Sequence, residues 1–201
     1  MLKQRVITAV VLLAILLPAL FASTPLPFTL LVLAMVAAAA WEWGRLNGLG
    51  QAGSVLTAVL CLALCGLAWQ QGWLARNLQL LWIVAGSAWV LGSVALIRAG
   101  VPGWSTIPRS IRLVGGVLAL WVTWLAVAQA RAMGVNFLLS IMVLVWVADV
   151  FAYFAGRTFG LKFTKNKLAP AISPGKSWEG VWGGMLGVLL VACLWIWVDR
   201  T

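Results

Sequence analysis

The stretch Ile172-Ser-Pro-Gly-Lys-Ser-Trp-Glu-Gly180 contains Gly175-Lys176-Ser177, the residue types that close a phosphate-binding loop, where backbone amides and a lysine cradle a nucleotide's phosphates. Such a loop also needs a glycine five positions earlier, a strand before it and a helix after it. Here that earlier position is Pro170, and the stretch from Arg157 to Pro170 is polar, which argues against a Walker loop. An anion is favoured all the same. Ser177 or Ser173 can cap a helix beginning near Trp178, whose free N–H groups and positive dipole end then lie among Lys165, Lys167 and Lys176. The same residues equally suit a solvated basic loop whose lysines touch lipid phosphate, and spacing alone does not choose between the two.

The acids sharpen the choice. Asp149 stands about seven residues, or roughly 10 Å, inside an apolar run, where a carboxylate costs about 2.5 to 3.5 kcal/mol. It needs a partner: Arg157 or Arg112 as a buried ion pair, or a metal or substrate. Glu179 falls in the first turn of the helix that starts near Trp178, where its charge suits the dipole as a cap. Glu42, three residues before Arg45, reads as a helix-end ion pair.

These residues sit in a membrane protein. With 64% hydrophobic and 9% charged residues in 201, and a mean hydropathy of +1.05, the chain has more apolar surface than a soluble domain of this size can bury. Its 14 Trp suit an interfacial belt. The excess of 14 Lys and Arg over 4 Asp and Glu lies in connectors between apolar runs, which points to lipid head groups and membrane orientation and away from nucleic acid. Cys61 and Cys65, four apart on one helix face, and Cys193 read as small packing residues, since two thiols without His or a third Cys do not complete a zinc site.

No charge occurs between Val6 and Glu42, and a single helix of that length would far exceed the roughly 30 Å hydrocarbon core. Thr24-Pro-Leu-Pro27 is the expected break, giving two short arms that span with tilt or form a re-entrant hairpin. Further runs cover Ala52 to Trp69, Leu78 to Ile97, Leu113 to Ala130, Val135 to Gly156 and Val181 to Val198. The expected fold is all-α and polytopic, about seven transmembrane helices in a single membrane-embedded domain over 1–201. If all seven cross, eleven basic residues fall on one side and Arg76, Arg131 and Arg200 on the other, which puts the N-terminus and the 157–177 loop in the cytoplasm.

The run Asp149-Val-Phe-Ala-Tyr-Phe-Ala-Gly-Arg157, followed by Lys167-Leu-Ala-Pro-Ala-Ile-Ser-Pro-Gly-Lys-Ser-Trp-Glu-Gly180, resembles phosphatidate cytidylyltransferases, also called CDP-diglyceride synthases. The resemblance is dense over 149–180 and agrees with the hydrophobic layout elsewhere. It implies a multi-pass enzyme of the bacterial inner membrane that condenses CTP with phosphatidic acid, giving CDP-diacylglycerol and pyrophosphate with Mg²⁺ or another divalent cation. Membrane lipids are its surroundings, and a homodimer is compatible with it. Carried onto this chain, it gives catalytic roles to Asp149, Lys176 and Glu179, substrate phosphate contacts to Lys167, Ser173 and Ser177, and a metal or polar-network role to Asp149, with Glu179 orienting Lys176 or the loop.

Two departures qualify the resemblance. Gly175 stands where the family commonly has a second basic residue, so the likeness to a nucleotide loop is an accident of that glycine. The family's Lys-Asp, His-Gly-Gly and Asp-Arg-x-Asp motif, which follows a segment like Val181 to Val198, is absent from a chain with no His. The expectation is therefore the N-terminal part of a longer enzyme, inactive on its own. A transporter for a small anion or lipid would also explain an intramembrane Asp beside a basic helix start, but would call for inverted repeats. A membrane prenyltransferase would need paired Asp-rich motifs, and a non-catalytic membrane subunit would need neither.

Overall fold

The computed structural model describes residues 2–170 and 173–199. Met1, Ala171, Ile172, Arg200 and Thr201 lie outside the described residues, and with them the expected cytoplasmic N-terminus and the place of Arg200 in the charge tally. The elements are α1 Leu2–Phe21, α2 Leu26–Leu46, α3 Gln51–Gln70, a short 3₁₀ turn Trp73–Ala75, α4 Gln79–Thr106, α5 Arg109–Met133, α6 Val135–Phe159, β1 Lys167–Ala169, β2 Ser173–Ser177 and α7 Trp178–Asp199. The expected break at Thr24-Pro-Leu-Pro27 is present: α1 stops at Phe21, and Pro25 and Pro27 bracket the first residue of α2.

Among the described residues six helices, α2 to α7, are long and apolar enough to cross a membrane, and the apolar part of α1, Val6–Phe21, is shorter. The all-α membrane architecture is thus as expected, with six helices of spanning length and one shorter apolar helix. One element differs from expectation. The connector before α7 carries an antiparallel ribbon, β1 with β2, where a loop was expected. Its strands are short, and Pro174 and Gly175 disfavour a strand, so no alternation announces it.

The chain divides into two compact units. The first comprises residues 1–88 and 107–138. Its core is Val36 and Ala40 of α2, Cys61, Cys65 and Ala68 of α3, and Trp124, Leu125 and Ala128 of α5. The two cysteines are free and buried, the packing role their spacing suggests. Gly44 lets α2 approach α3, because a Cβ there would stand 2.8 Å from the Ser54 Cα. The Trp124 indole donates to the Thr29 carbonyl at 3.3 Å, tying α5 to α2. Arg131, also buried, donates to the carbonyls of Leu20 at 2.9 Å and Ala22 at 2.6 Å, and so satisfies the end of α1.

The second unit comprises residues 89–106 and 139–201. In α4 the backbone breaks at Gly100, with φ of 63°, just before Pro102. The site is set by the pairing of α6 with α7. Gly180, Gly183, Gly184 and Gly187 of α7 face Ala148, Phe151, Ala152, Ala155 and Gly156 of α6. A Cβ on Gly184 would lie 2.9 Å from the Ala148 carbonyl oxygen, and one on Gly180 would lie 3.1 Å from that of Ala152. The spacing Gly180-x-x-x-Gly184 and Gly183-x-x-x-Gly187 is that of close helix pairs in membranes, where backbones meet over small residues.

Candidate functional site

Helix α7 begins at Trp178, as its capping serine and the charge pattern predict. Ser177 is 7% exposed, and its hydroxyl accepts the Gly180 N–H at 3.3 Å. That hydroxyl lies among three glycines: Cβ atoms built on Gly160, Gly156 and Gly180 would stand 3.4, 3.6 and 3.7 Å from it. Larger residues there would displace it. Of the two roles expected for Ser177, the cap is the one its geometry fills.

Glu179 is 3% exposed and reaches back into the connector. Its Oε1 accepts the Phe163 N–H at 3.1 Å, the Thr164 N–H at 2.7 Å and the Thr164 hydroxyl at 2.8 Å. The other oxygen, Oε2, is buried and has no hydrogen-bond partner among the described residues. The carboxylate therefore does more than favour the helix dipole: it pins the turn after α6 to the start of α7. Of the two targets expected for it, Lys176 or the loop, it holds the loop.

The lysines stand outside this knot. Lys167 is paired opposite Ser177 on the ladder, and Ala169 opposite Ser173. Between those pairs β2 has two more residues than β1, so Pro174, Gly175 and Lys176 form an exposed bulge. Bulges re-aim side chains, and this one presents Lys176 to the surroundings. Lys165, Lys167 and Lys176 are all exposed and carry no ion pair among the described residues, where Glu42 with Arg45, at 3.3 Å, forms the one ion pair. Ser173 is partly exposed beside them.

Among the described residues no hydrogen bond or ion pair brings Asp149 to this cluster. It is exposed on α6. Among the described residues Arg157 makes no ion pair with it; that guanidinium donates to the Tyr153 hydroxyl at 2.8 Å. Asp149, Tyr153 and Arg157 are spaced i, i+4, i+8 and so share one face of the helix. Among the described residues no three His, Cys, Asp or Glu side chains converge to hold a metal. Thr164, Tyr153 and the glycines around Ser177 are members of the site that the sequence reading lacks. The Gly156-x-x-x-Gly160 and Gly180-x-x-x-Gly184 spacings are the sequence signals for the last of these.

A model of the cytidylyltransferase family matches residues 3–201. The chain is 40% identical to a phosphatidate cytidylyltransferase of Pseudomonas aeruginosa over 92% of its own length and 67% of that protein's. It is 37% identical to one of Haemophilus influenzae over 98% of its length and 73% of the relative's. It is 30% identical to one of Brucella abortus over 96% and 68%. No solved structure matches it.

Proposed function

The chain belongs to the cytidylyltransferase family, and from that membership we propose that it condenses CTP with phosphatidic acid in a membrane, releasing pyrophosphate and forming CDP-diacylglycerol. The observation that carries this reading is the match, over nearly the whole chain, to relatives named for that reaction. Bacterial relatives support a bacterial inner membrane as its location. The eleven-to-three division of basic residues supports a cytoplasmic 157–177 segment, where CTP is available. The transporter reading of Asp149 gives way to the family.

In the reaction a phosphatidate oxygen attacks the α-phosphorus of CTP, a new P–O bond forms, and the bond from that phosphorus to the bridging oxygen breaks. The leaving pyrophosphate carries the growing charge, so catalysis rests on cations held in place. Lys176, on the exposed bulge, takes CTP phosphate, and Lys167, on the ladder, takes a different phosphate oxygen; their unlike settings support separate contacts. Ser173 lies within reach of the same anions, and Ser177 holds the helix start whose N–H groups face them. Glu179 acts through the loop it pins and is a positioning residue.

The described residues fit a divalent cation only as far as one free carboxylate, Asp149. That suits Mg²⁺, which is bound by one or two carboxylates together with substrate phosphates. When bound it would offset the charge of the leaving group. The test is transfer of label from CTP to phosphatidic acid by membranes containing the protein. Formation of CDP-diacylglycerol above the level of membranes without it supports the reading; incorporation that ignores phosphatidic acid would overturn it.

A further inference from the structure

The last turns of α6 present a polar arrangement that the phosphate-binding hairpin does not use. Tyr153 is the chain's single tyrosine, on a helix whose other aromatic side chains are Phe and Trp. It is 57% exposed, and its ring meets that of Phe154 edge-on at 5.4 Å. Its hydroxyl accepts from Arg157 Nη1 at 2.8 Å. That bond fixes one corner of the guanidinium, and Arg157 makes no ion pair with an acid among the described residues. The base of the arrangement is also fixed, since Gly156, beside Arg157, packs against Gly180 at the start of α7.

A guanidinium has five N–H donors, so the fork not used by Tyr153 is left to a ligand. The tyrosine hydroxyl, having accepted one hydrogen bond, still has its own O–H to donate. The pair therefore offers a forked donor and a neighbouring O–H directed to one side of a membrane helix, at the end of its apolar run, where lipid phosphates lie. We propose that Tyr153 and Arg157 form the receiving site for the phosphate monoester of the lipid substrate, which rests on the reading of the chain as acting on phosphatidic acid. A monoester has three non-bridging oxygens, two for the guanidinium fork and one for the hydroxyl. A phosphodiester head group has only two, so the pair selects the monoester over the surrounding lipid. Phe154, 61% exposed beside it, offers its ring to the acyl chains. Asp149 lies two turns deeper on the same face, about 12 Å along the helix from Arg157.

The test measures lipid retained by the protein in phosphatidylcholine nanodiscs doped with equal fractions of phosphatidate and phosphatidylglycerol, for the unaltered chain and for Tyr153→Phe, Arg157→Lys and Arg157→Gln. The unaltered chain should retain phosphatidate in preference. Arg157→Gln should lose binding, Arg157→Lys should keep anionic lipid but lose the preference, and Tyr153→Phe should lower the preference several-fold. An arginine that merely reaches any lipid phosphate would show no preference, and Tyr153→Phe would match the unaltered chain; either result overturns the proposal. In kinetic assays Arg157→Gln should raise the KM for phosphatidate roughly 10- to 150-fold and leave that for CTP within about twofold. A rise in the KM for CTP instead would give the pair to the nucleotide and overturn the lipid assignment. Selective retention without any cytidylyl transfer would count against the reaction and for the site, so the two readings fail separately.

Discussion

A single oxygen of Glu179 accepts both the backbone N–H and the hydroxyl of Thr164, at 2.7 and 2.8 Å, across fifteen residues of chain. With the Phe163 N–H at 3.1 Å it takes three donors, and all three come from the turn between α6 and the ribbon. The basic hairpin is therefore bracketed: one end follows the turn that Glu179 grips, and the other runs directly into α7.

Removing the carboxylate should free that turn. Glu179→Ala leaves two amides and a hydroxyl without their acceptor, and a hydrogen bond to a charged group contributes about 1.5 to 3 kcal/mol. Hydrogen exchange at the Phe163 and Thr164 amides should then quicken by roughly 10-fold or more. Thr164→Val, which removes only the hydroxyl, should have a smaller effect. Equal effects of the two would show that the carboxylate is not the hub.

The lysines should not be interchangeable. In the complete enzyme Lys176→Ala should lower kcat/KM for CTP by roughly 10- to 150-fold through loss of a charge-assisted phosphate contact. Lys162→Ala should do little, because that ammonium lies 5.6 Å over the Phe159 ring and its residue is outside the ribbon. Measured at two ionic strengths, four equal and salt-sensitive losses at Lys162, Lys165, Lys167 and Lys176 would instead describe a basic surface at the membrane.

The glycine face of α7 should resist enlargement. Gly184→Ala puts a methyl 2.9 Å from the Ala148 carbonyl oxygen, and overpacking of this kind costs about 1 to 3 kcal/mol. Gly66→Ala in α3, where a Cβ meets nothing within 4 Å, is the matched control and should be neutral or slightly stabilising. Thermal unfolding in detergent separates them. Similar melting for both would mean that α6 and α7 are not closely paired at Gly184.

Orientation follows from charge. A reporter fused at Lys165 should respond as cytoplasmic and one near Gly134 as periplasmic in a Gram-negative host. The reverse pattern would remove the site from CTP.

The legible parts of this molecule are those with a local cause. The break after Phe21 comes from prolines, the start of α7 from Ser177 and the residues after it, the Glu42–Arg45 pair from a three-residue spacing, and the role of Cys61 and Cys65 from a four-residue one. What the sequence does not display is the partner of a residue far along the chain. Nothing in the polar connector marks Thr164 as the group that Glu179 holds, because hydrogen bonds to backbone leave no periodicity. The ribbon is hidden for a related reason: its pairing is carried by main-chain groups, and the bulge at Pro174, Gly175 and Lys176 erases what alternation a strand would have. The glycine stripe of α7 is visible as spacing, yet gains meaning only when α6 is known to lie against it.

The bonds from Arg131 to Leu20 and Ala22 join residues 111 and 109 positions apart. During synthesis those carbonyls emerge long before their donor. At about 5 to 20 residues per second the end of α1 waits roughly 5 to 20 s for the guanidinium that will satisfy it. Until then those two carbonyls must keep to water or to the insertion machinery, and the end of α1 is satisfied only as α5 arrives. The end of the first helix to be made is thus among the last parts of the first unit to find its hydrogen-bond partner.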